Sequence, residues 1–309
     1  MSPPPSLAAT VHPRRRCADV PAAVASVLPG HAGIQIDLLA GGSEPVALLP
    51  DLTAYDILLV NSSGGKDSQA MLDCVHERAV AQGVADRITI VHVDLGRVEW
   101  PGTRVLARAQ AARYGVRFEV VAAREGLLER TERRGMWPDA ARRWCTSDLK
   151  RGPVRTLMTR LARELDAVPR PRILNLMGLR AEESPARARR APLAIDDAAS
   201  SGRREVTQCL PLFHWRLEDV WRRIAASSVA DLVHPAYAAG MPRLSCSFCV
   251  LAPKAALVRA AQLRPDMARE HLALERRIGH SFKAHLSMAD IVAAAQTAGE
   301  APDIEAWVG

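Results

Sequence analysis

Aromatic residues are scarce, with Phe, Tyr and Trp together making up 4% of the 309 residues. That supply offers no evident stacking platform for single-stranded nucleic acid, whose binders line grooves with aromatic faces. No run approaches the roughly 18 consecutive apolar residues of a membrane helix. The opening stretch MSPPPSLAATVHPRRR places its basic residues after the apolar ones, so it does not read as a secretory signal. A cytoplasmic location with no membrane partner is the expectation. In that compartment the six cysteines are thiols, metal ligands or catalytic groups rather than a disulfide framework. Internal repeats are also lacking. The 48% hydrophobic and 24% charged content excludes disorder over most of the chain.

The net charge is +7, and it is concentrated. Between Arg142 and Arg190 there are thirteen Lys and Arg against five Asp and Glu. A solvated helix face is the plain reading; a polyanionic ligand, either nucleotide phosphates or a nucleic-acid backbone, is the other.

Residues 1–20, rich in Pro and Arg, are expected to be poorly ordered, and 21–50 to form a small extension. An α/β rhythm then begins. Asp56–Val60, Ile88–Val93, Arg117–Val121 and Ile173–Met177 read as strands. Asp67–Ala81, Thr103–Tyr114 and Arg151–Leu165 carry apolar residues at helical spacing. Alternation of this kind predicts crossover units, hence an α/β fold: a doubly wound, mostly parallel sheet with helices on both faces. The Ala/Arg-rich stretch Ala186–Arg204 reads as a mobile loop, and the chain beyond about 205 as more helical.

The strongest local signal is Asn61-Ser62-Ser63-Gly64-Gly65-Lys66-Asp67-Ser68, between the first strand and its helix. Gly64 and Gly65 let backbone approach an anion, and the helix N-terminus presents unpaired N–H groups. Lys66 adds a full charge, while Ser62, Ser63 and Ser68 offer hydroxyl donors. Asp67 follows Gly65-Lys66 where a Walker loop has Ser or Thr, so this is a different phosphate loop.

The loop resembles the pyrophosphate-binding loop of the adenine nucleotide α-hydrolase superfamily. Val93-Asp94-Leu95-Gly96 is similar to its nucleoside-contacting element, and Trp100-Pro101-Gly102-Thr103 follows at a similar spacing. Gly178-Leu179-Arg180-Ala181-Glu182-Glu183-Ser184-Pro185-Ala186-Arg187 resembles a segment of phosphoadenosine phosphosulfate (PAPS) reductases. Cys209-Leu210-Pro211-Leu212-Phe213-His214-Trp215, Leu217-Glu218-Asp219-Val220-Trp221 and His234-Pro235-Ala236-Tyr237 continue that family's order. The resemblance spans about 55–255 and implies an N-terminal extension over 1–50. A nucleotide-binding domain of that superfamily's fold would follow over 51–240, and a CxxC-containing helical region over 241–309. It also implies that Ser62 to Ser68, Asp94, Gly96, Gly178, Arg180 and Arg187 contact a nucleotide. Lys66, Asp67 and Arg180 would then be the catalytic set. Arg180 and Arg187 suit phosphate or sulfonate, because a guanidinium forks onto such oxygens; pairing with Glu182 or Glu183 is the plain alternative. Asp67 or Asp94 is placed to reach Mg²⁺ brought in with ATP.

Cys246-Ser247-Phe248-Cys249 is a CxxC motif, and Cys145 lies upstream, followed by Lys150 and Pro153. Iron–sulfur members of the family hold a [4Fe–4S] cluster with a Cys-Cys pair in a similar setting and a later CxxC. Here the pair is Trp144-Cys145, so three ligands are given and the fourth is open. Cys209 could close the site, one iron could stay open for a sulfur donor, zinc could take the thiolates, or the cysteines could be small buried hydrophobes. Cys74 lies on a helical apolar stripe and reads as core. Cys17 has no evident role.

Reductases of the family carry a nucleophilic cysteine in a Glu-Cys-Gly-type motif; here no cysteine follows Cys249. The expectation is therefore an ATP pyrophosphatase coupled to sulfur transfer. ATP activates an acceptor oxygen, and sulfur arriving through the cluster or a persulfide displaces AMP. Its partners are a sulfur donor protein or thiol reductant and an acceptor, nucleic acid among the candidates. A PAPS or APS reductase, and a non-catalytic nucleotide-binding subunit of a DNA-modification or defence complex, are the competing readings.

Overall fold

The computed structural model describes residues 45–166 and 168–299. The expectations for residues 1–44, including Cys17, lie outside the described residues. Six strands form one sheet: β1 (Ile57–Ser62), β2 (Ile88–Val93), β3 (Arg117–Val121), β4 (Arg172–Leu176), β5 (Leu193–Ile195) and β6 (Glu205–Cys209). Their order is β3-β2-β1-β4-β6-β5, parallel throughout except for the antiparallel β5–β6 pair. The chain runs from β1 outward to β3, then returns to start the other half at β4. β1 and β4 thus flank the switch point, where such sheets hold ligands at the carboxyl ends of their strands.

β1 is an unbroken apolar run because both its faces are covered. On one face Leu58 and Val60 pack with Met71 and Val75 of α1 (Lys66–Ala81) and with Trp221 of α5 (Leu217–Ala226). On the other, Ile57 and Leu59 meet Leu157 and Met158 of α4 (Gly152–Glu164). Two further helices, α2 (Thr103–Arg113) and α3 (Leu127–Arg134), follow β2 and β3. The doubly wound α/β architecture and helical C-terminal region match the sequence reading. That region comprises α6 (Lys254–Leu263), α7 (Pro265–Ile278) and α8 (Met288–Thr297). A third apolar cluster joins Trp100, Leu128 and Trp137 to Phe248, Leu257, Leu274 and Phe282, so these helices share a core with the loops beyond β2 and β3.

One expectation is corrected. Ala186–Arg204 is not simply a loop, because Pro185–Ala188 forms a helical turn and Leu193–Ile195 is an edge strand. The more helical region past 205 opens with a strand, Glu205–Cys209, which lies inside the sheet between β4 and β5. Its sequence, EVTQC, is too polar to read as a buried strand. Burial falls on Val206, Thr207 and Cys209, and the ladder satisfies the backbone. No helix among the described residues is long and apolar enough to cross a membrane.

Candidate nucleotide site and cysteine cluster

The loop between β1 and α1 packs closely at its glycines. Gly64 has φ +68°, and a Cβ there would stand 3.0 Å from the Thr103 carbonyl oxygen. A Cβ on Gly65 would meet the Tyr237 hydroxyl at 3.0 Å and Leu244 at 3.1 Å. One on Gly178, just past β4, would lie 2.8 Å from the Asp67 carbonyl oxygen. The serines shape the loop: the Ser63 N–H donates to Ser68 Oγ (3.2 Å), which donates to the Gly65 carbonyl (2.8 Å). The Gly64 N–H donates to Ser62 Oγ (3.2 Å). Gly65 at the N-cap offers α1 no side chain; the Lys66 N–H is taken by the Tyr237 hydroxyl, and the helix's partial positive charge faces the loop.

Lys66 is 4% exposed. Its backbone N–H donates to the Tyr237 hydroxyl at 2.9 Å, and its Nζ donates to Asp67 Oδ2 at 3.1 Å and the Pro242 carbonyl at 3.3 Å. The other oxygen, Asp67 Oδ1, accepts from Arg180 Nε at 2.6 Å. Arg180 also pairs with Glu182. Burial opposes the Lys66 charge, but the neighbouring Asp67 carboxylate more than offsets it and holds the pKa above the usual lysine value. Burial would raise Asp67, yet Lys66 and Arg180 keep it below the usual carboxylate value. All three are charged at neutral pH, so the triad is one positive charge in excess.

Residues 62–68, Gly178 and Arg180 therefore converge at the ends of β1 and β4. Asp94 sits at the end of the adjacent β2, accepting from the Gly96 N–H (2.8 Å) and from Arg104 (3.0 Å). Arg187 pairs with Glu183, whose other oxygen lies 3.7 Å from Arg243. Sequence reading gave no role to His92, buried at the end of β2. Its Nδ1–H donates to the Ser62 carbonyl (3.1 Å), and its Nε2 meets Glu99 at 3.3 Å. A polar residue closing the apolar strand ITIVHV was the available signal.

Cys145 lies in a helical turn, Trp144–Thr146, that runs into a π-helical turn, Ser147–Arg151, ahead of α4. Cys246 bridges backbone to backbone with Glu99, and the Ser247 N–H donates to the Val98 carbonyl at 2.9 Å. Cys145, Cys246 and Cys249 are half-buried and within electrostatic reach of one another and of Lys150. Burial, then the Cys249 charge, raises the Cys145 thiol; burial pushes Cys246 up to about 12. A cation at their centre would reverse this. Cys209 is elsewhere, at the end of β6, donating to the Leu48 carbonyl at 3.3 Å. Among the described residues no group of three or more His, Cys, Asp or Glu stands in metal-holding geometry. Cys209 is therefore not a neighbour of the other three thiols, and a closed four-thiolate site that includes it is not assembled. Cys74 lies in the core beneath α1.

The profile of the phosphoadenosine phosphosulfate reductase domain matches residues 57–252. The chain belongs to this family. Its α/β part is the family's nucleotide-binding domain, and the match takes in the phosphate loop, Arg180 and all three gathered cysteines. No curated protein matches. Among solved structures, this chain is similar to Candida glabrata FMN adenylyltransferase in complex with FMN and ATP analog AMPCPP. Identity is 16% and the TM-score 0.33, over 66% of this chain and 63% of that one. The match thus spans less than two thirds of that enzyme's length.

Proposed function

We propose that this protein binds ATP with Mg²⁺ at the β1–β4 switch point, releases pyrophosphate, and couples that release to sulfur transfer. One observation carries the reading: a single segment reaches both halves of the chemistry. Pro242 and Leu244 touch Lys66 and Gly65, and Cys246 and Cys249, a few residues on, stand with Cys145. An acceptor oxygen attacks the α-phosphorus, and the bond to the β-phosphate breaks with its electron pair leaving on pyrophosphate. The α1 N-terminus, Lys66 and Arg180 neutralise that charge, while Asp67 exchanges its cations for Mg²⁺. Sulfur at the sulfide oxidation level then bonds to the acceptor carbon as the C–O bond to AMP breaks, with no net redox change. A [4Fe–4S] cluster on Cys145, Cys246 and Cys249 would supply the open iron that holds such a sulfur.

The test is anaerobic purification with iron and acid-labile sulfide assays, followed by pyrophosphate release from ATP. About four irons per chain, lost in the Cys246→Ala, Cys249→Ala double variant, is the expected result. Iron-free protein would overturn the cluster, and absence of pyrophosphate would overturn the ATP reaction. Family membership also favours a second reading, sulfonucleotide reduction. Sulfite release from PAPS or APS with a thiol reductant distinguishes it.

A further inference from the structure

Next to Cys145 the surface opens into a cleft of about 430 Å³ between the end of α3 and the π-helical turn. Arg134, Arg142, Arg143 and Arg151 line it with Trp144 and Ser147, and no carboxylate does. Asp148 neutralises Arg134 at 2.9 Å and Asp139 neutralises Arg142 at 3.3 Å. Arg143 and Arg151, both exposed, have no carboxylate partner among the described residues. The cleft is therefore two positive charges in excess. Trp144 is 8% exposed and covered by the Arg134 guanidinium at 5.0 Å; its indole N–H is buried without an acceptor. Unpaired guanidiniums want a ligand with several anionic oxygens.

We propose that this cleft docks the phosphodiester backbone of a nucleic acid and feeds it past Cys145. A free nucleotide already has its own loop after β1. This second site is open, with its guanidiniums at the rim, and the basic line continues one turn along α4 to Arg155, which is only 3.9 Å-paired to Asp196. A line of that length suits consecutive phosphates rather than one. With Trp144 capped by Arg134, bases have nothing to stack on, so recognition runs through the backbone, as in duplexes. That the docked strand is the sulfur acceptor rests on the function proposed above; the docking itself does not.

The experiment is fluorescence anisotropy of the full-length protein with labelled duplex DNA and labelled duplex RNA across a salt series. The wild type is compared with Arg142→Gln, Arg143→Gln, Arg151→Gln combined, and with the matching Arg→Lys triple. The expected result is binding of at least one duplex, the two arms telling DNA from RNA. The Gln variant should have a log K against log salt slope shallower by about 2 to 3, at roughly 0.9 per lost B-DNA phosphate contact. The Lys variant should keep most of the slope, and ATP binding by calorimetry should be unchanged in both. No binding of either duplex, an unaltered slope in the Gln variant, or displacement of the duplex by equimolar inorganic phosphate would each overturn the proposal. Arginine-dependent duplex binding without pyrophosphate release would leave the cleft standing and remove the proposed reaction; the opposite pair of results would remove the cleft alone.

Discussion

Asp67 gives one oxygen to Lys66 and the other to Arg180, so the two cations that the proposed function assigns to phosphate are already paired. Asp67→Asn leaves Lys66 buried without a carboxylate and Arg180 with Glu182 alone, a loss of about 3 kcal/mol for a broken buried pair. A nucleotide's phosphates would replace the missing charge. The variant should therefore melt lower than wild type, yet gain more in thermal unfolding from ATP without Mg²⁺. Equal gains in both proteins would count against this role for Asp67. Gly178→Ala presses a methyl against the α1 backbone, where neither side can swing away. A destabilisation of about 2 kcal/mol with weakened ATP binding is expected, measured by urea unfolding and calorimetry. Lys66 and the loop glycines were legible because strand, Gly-Gly and helix start are contiguous. The Asp67–Arg180 pair was not, since its partners are 113 positions apart and only the β1–β4 adjacency joins them.

Among the elements, those with strong periodicity were readable and those supported by neighbours were not. β1 and β2 announce themselves as apolar runs. β6 and β5 are a polar strand and a three-residue edge, built because β4 offers a ladder to pair with. The segment from Gly240 to Cys249 has no regular structure, yet it spans from the phosphate loop to the thiols. On the proposed function, a nucleotide draws Lys66 Nζ off the Pro242 carbonyl that it now meets at 3.3 Å, so the segment should respond. The iodoacetamide alkylation rates of Cys246 and Cys249, followed by mass spectrometry on metal-stripped protein, are expected to change several-fold on adding ATP. Unchanged rates would separate the two halves of the site. Cys246 and Cys249 were legible from their spacing and Cys145 from the family resemblance; that Cys209 stands apart from them was visible only in three dimensions.

At the scale of the whole molecule, acid stability follows from two histidines. His234 bonds the Pro101 carbonyl at 3.1 Å, and His271 stacks on Trp137 with ring centroids 5.5 Å apart. Both are 1% exposed, and burial lowers each to about 4. Between about pH 6.5 and 4 the unfolded chain binds protons at these positions that the folded chain refuses. Stability is thus complete above that window and falls with pH inside it, by roughly 1.4 kcal/mol per unit per histidine. Urea unfolding at pH 7.5 and 5 should show the loss, and His271→Phe should reduce it. A flat profile would mean that the pockets open to water well before unfolding.

The Lys66–Asp67–Arg180 triad has one more consequence. Its charges are buried and ion-paired, so dissolved ions screen them little, whereas the exposed arginines beside Cys145 compete with every counterion in solution. On the two proposals above, ionic strength would act as a selective wash: raising it would strip a polymer from the outer rim while a nucleotide stayed seated in the loop. The protein could let go of one partner without resetting the other.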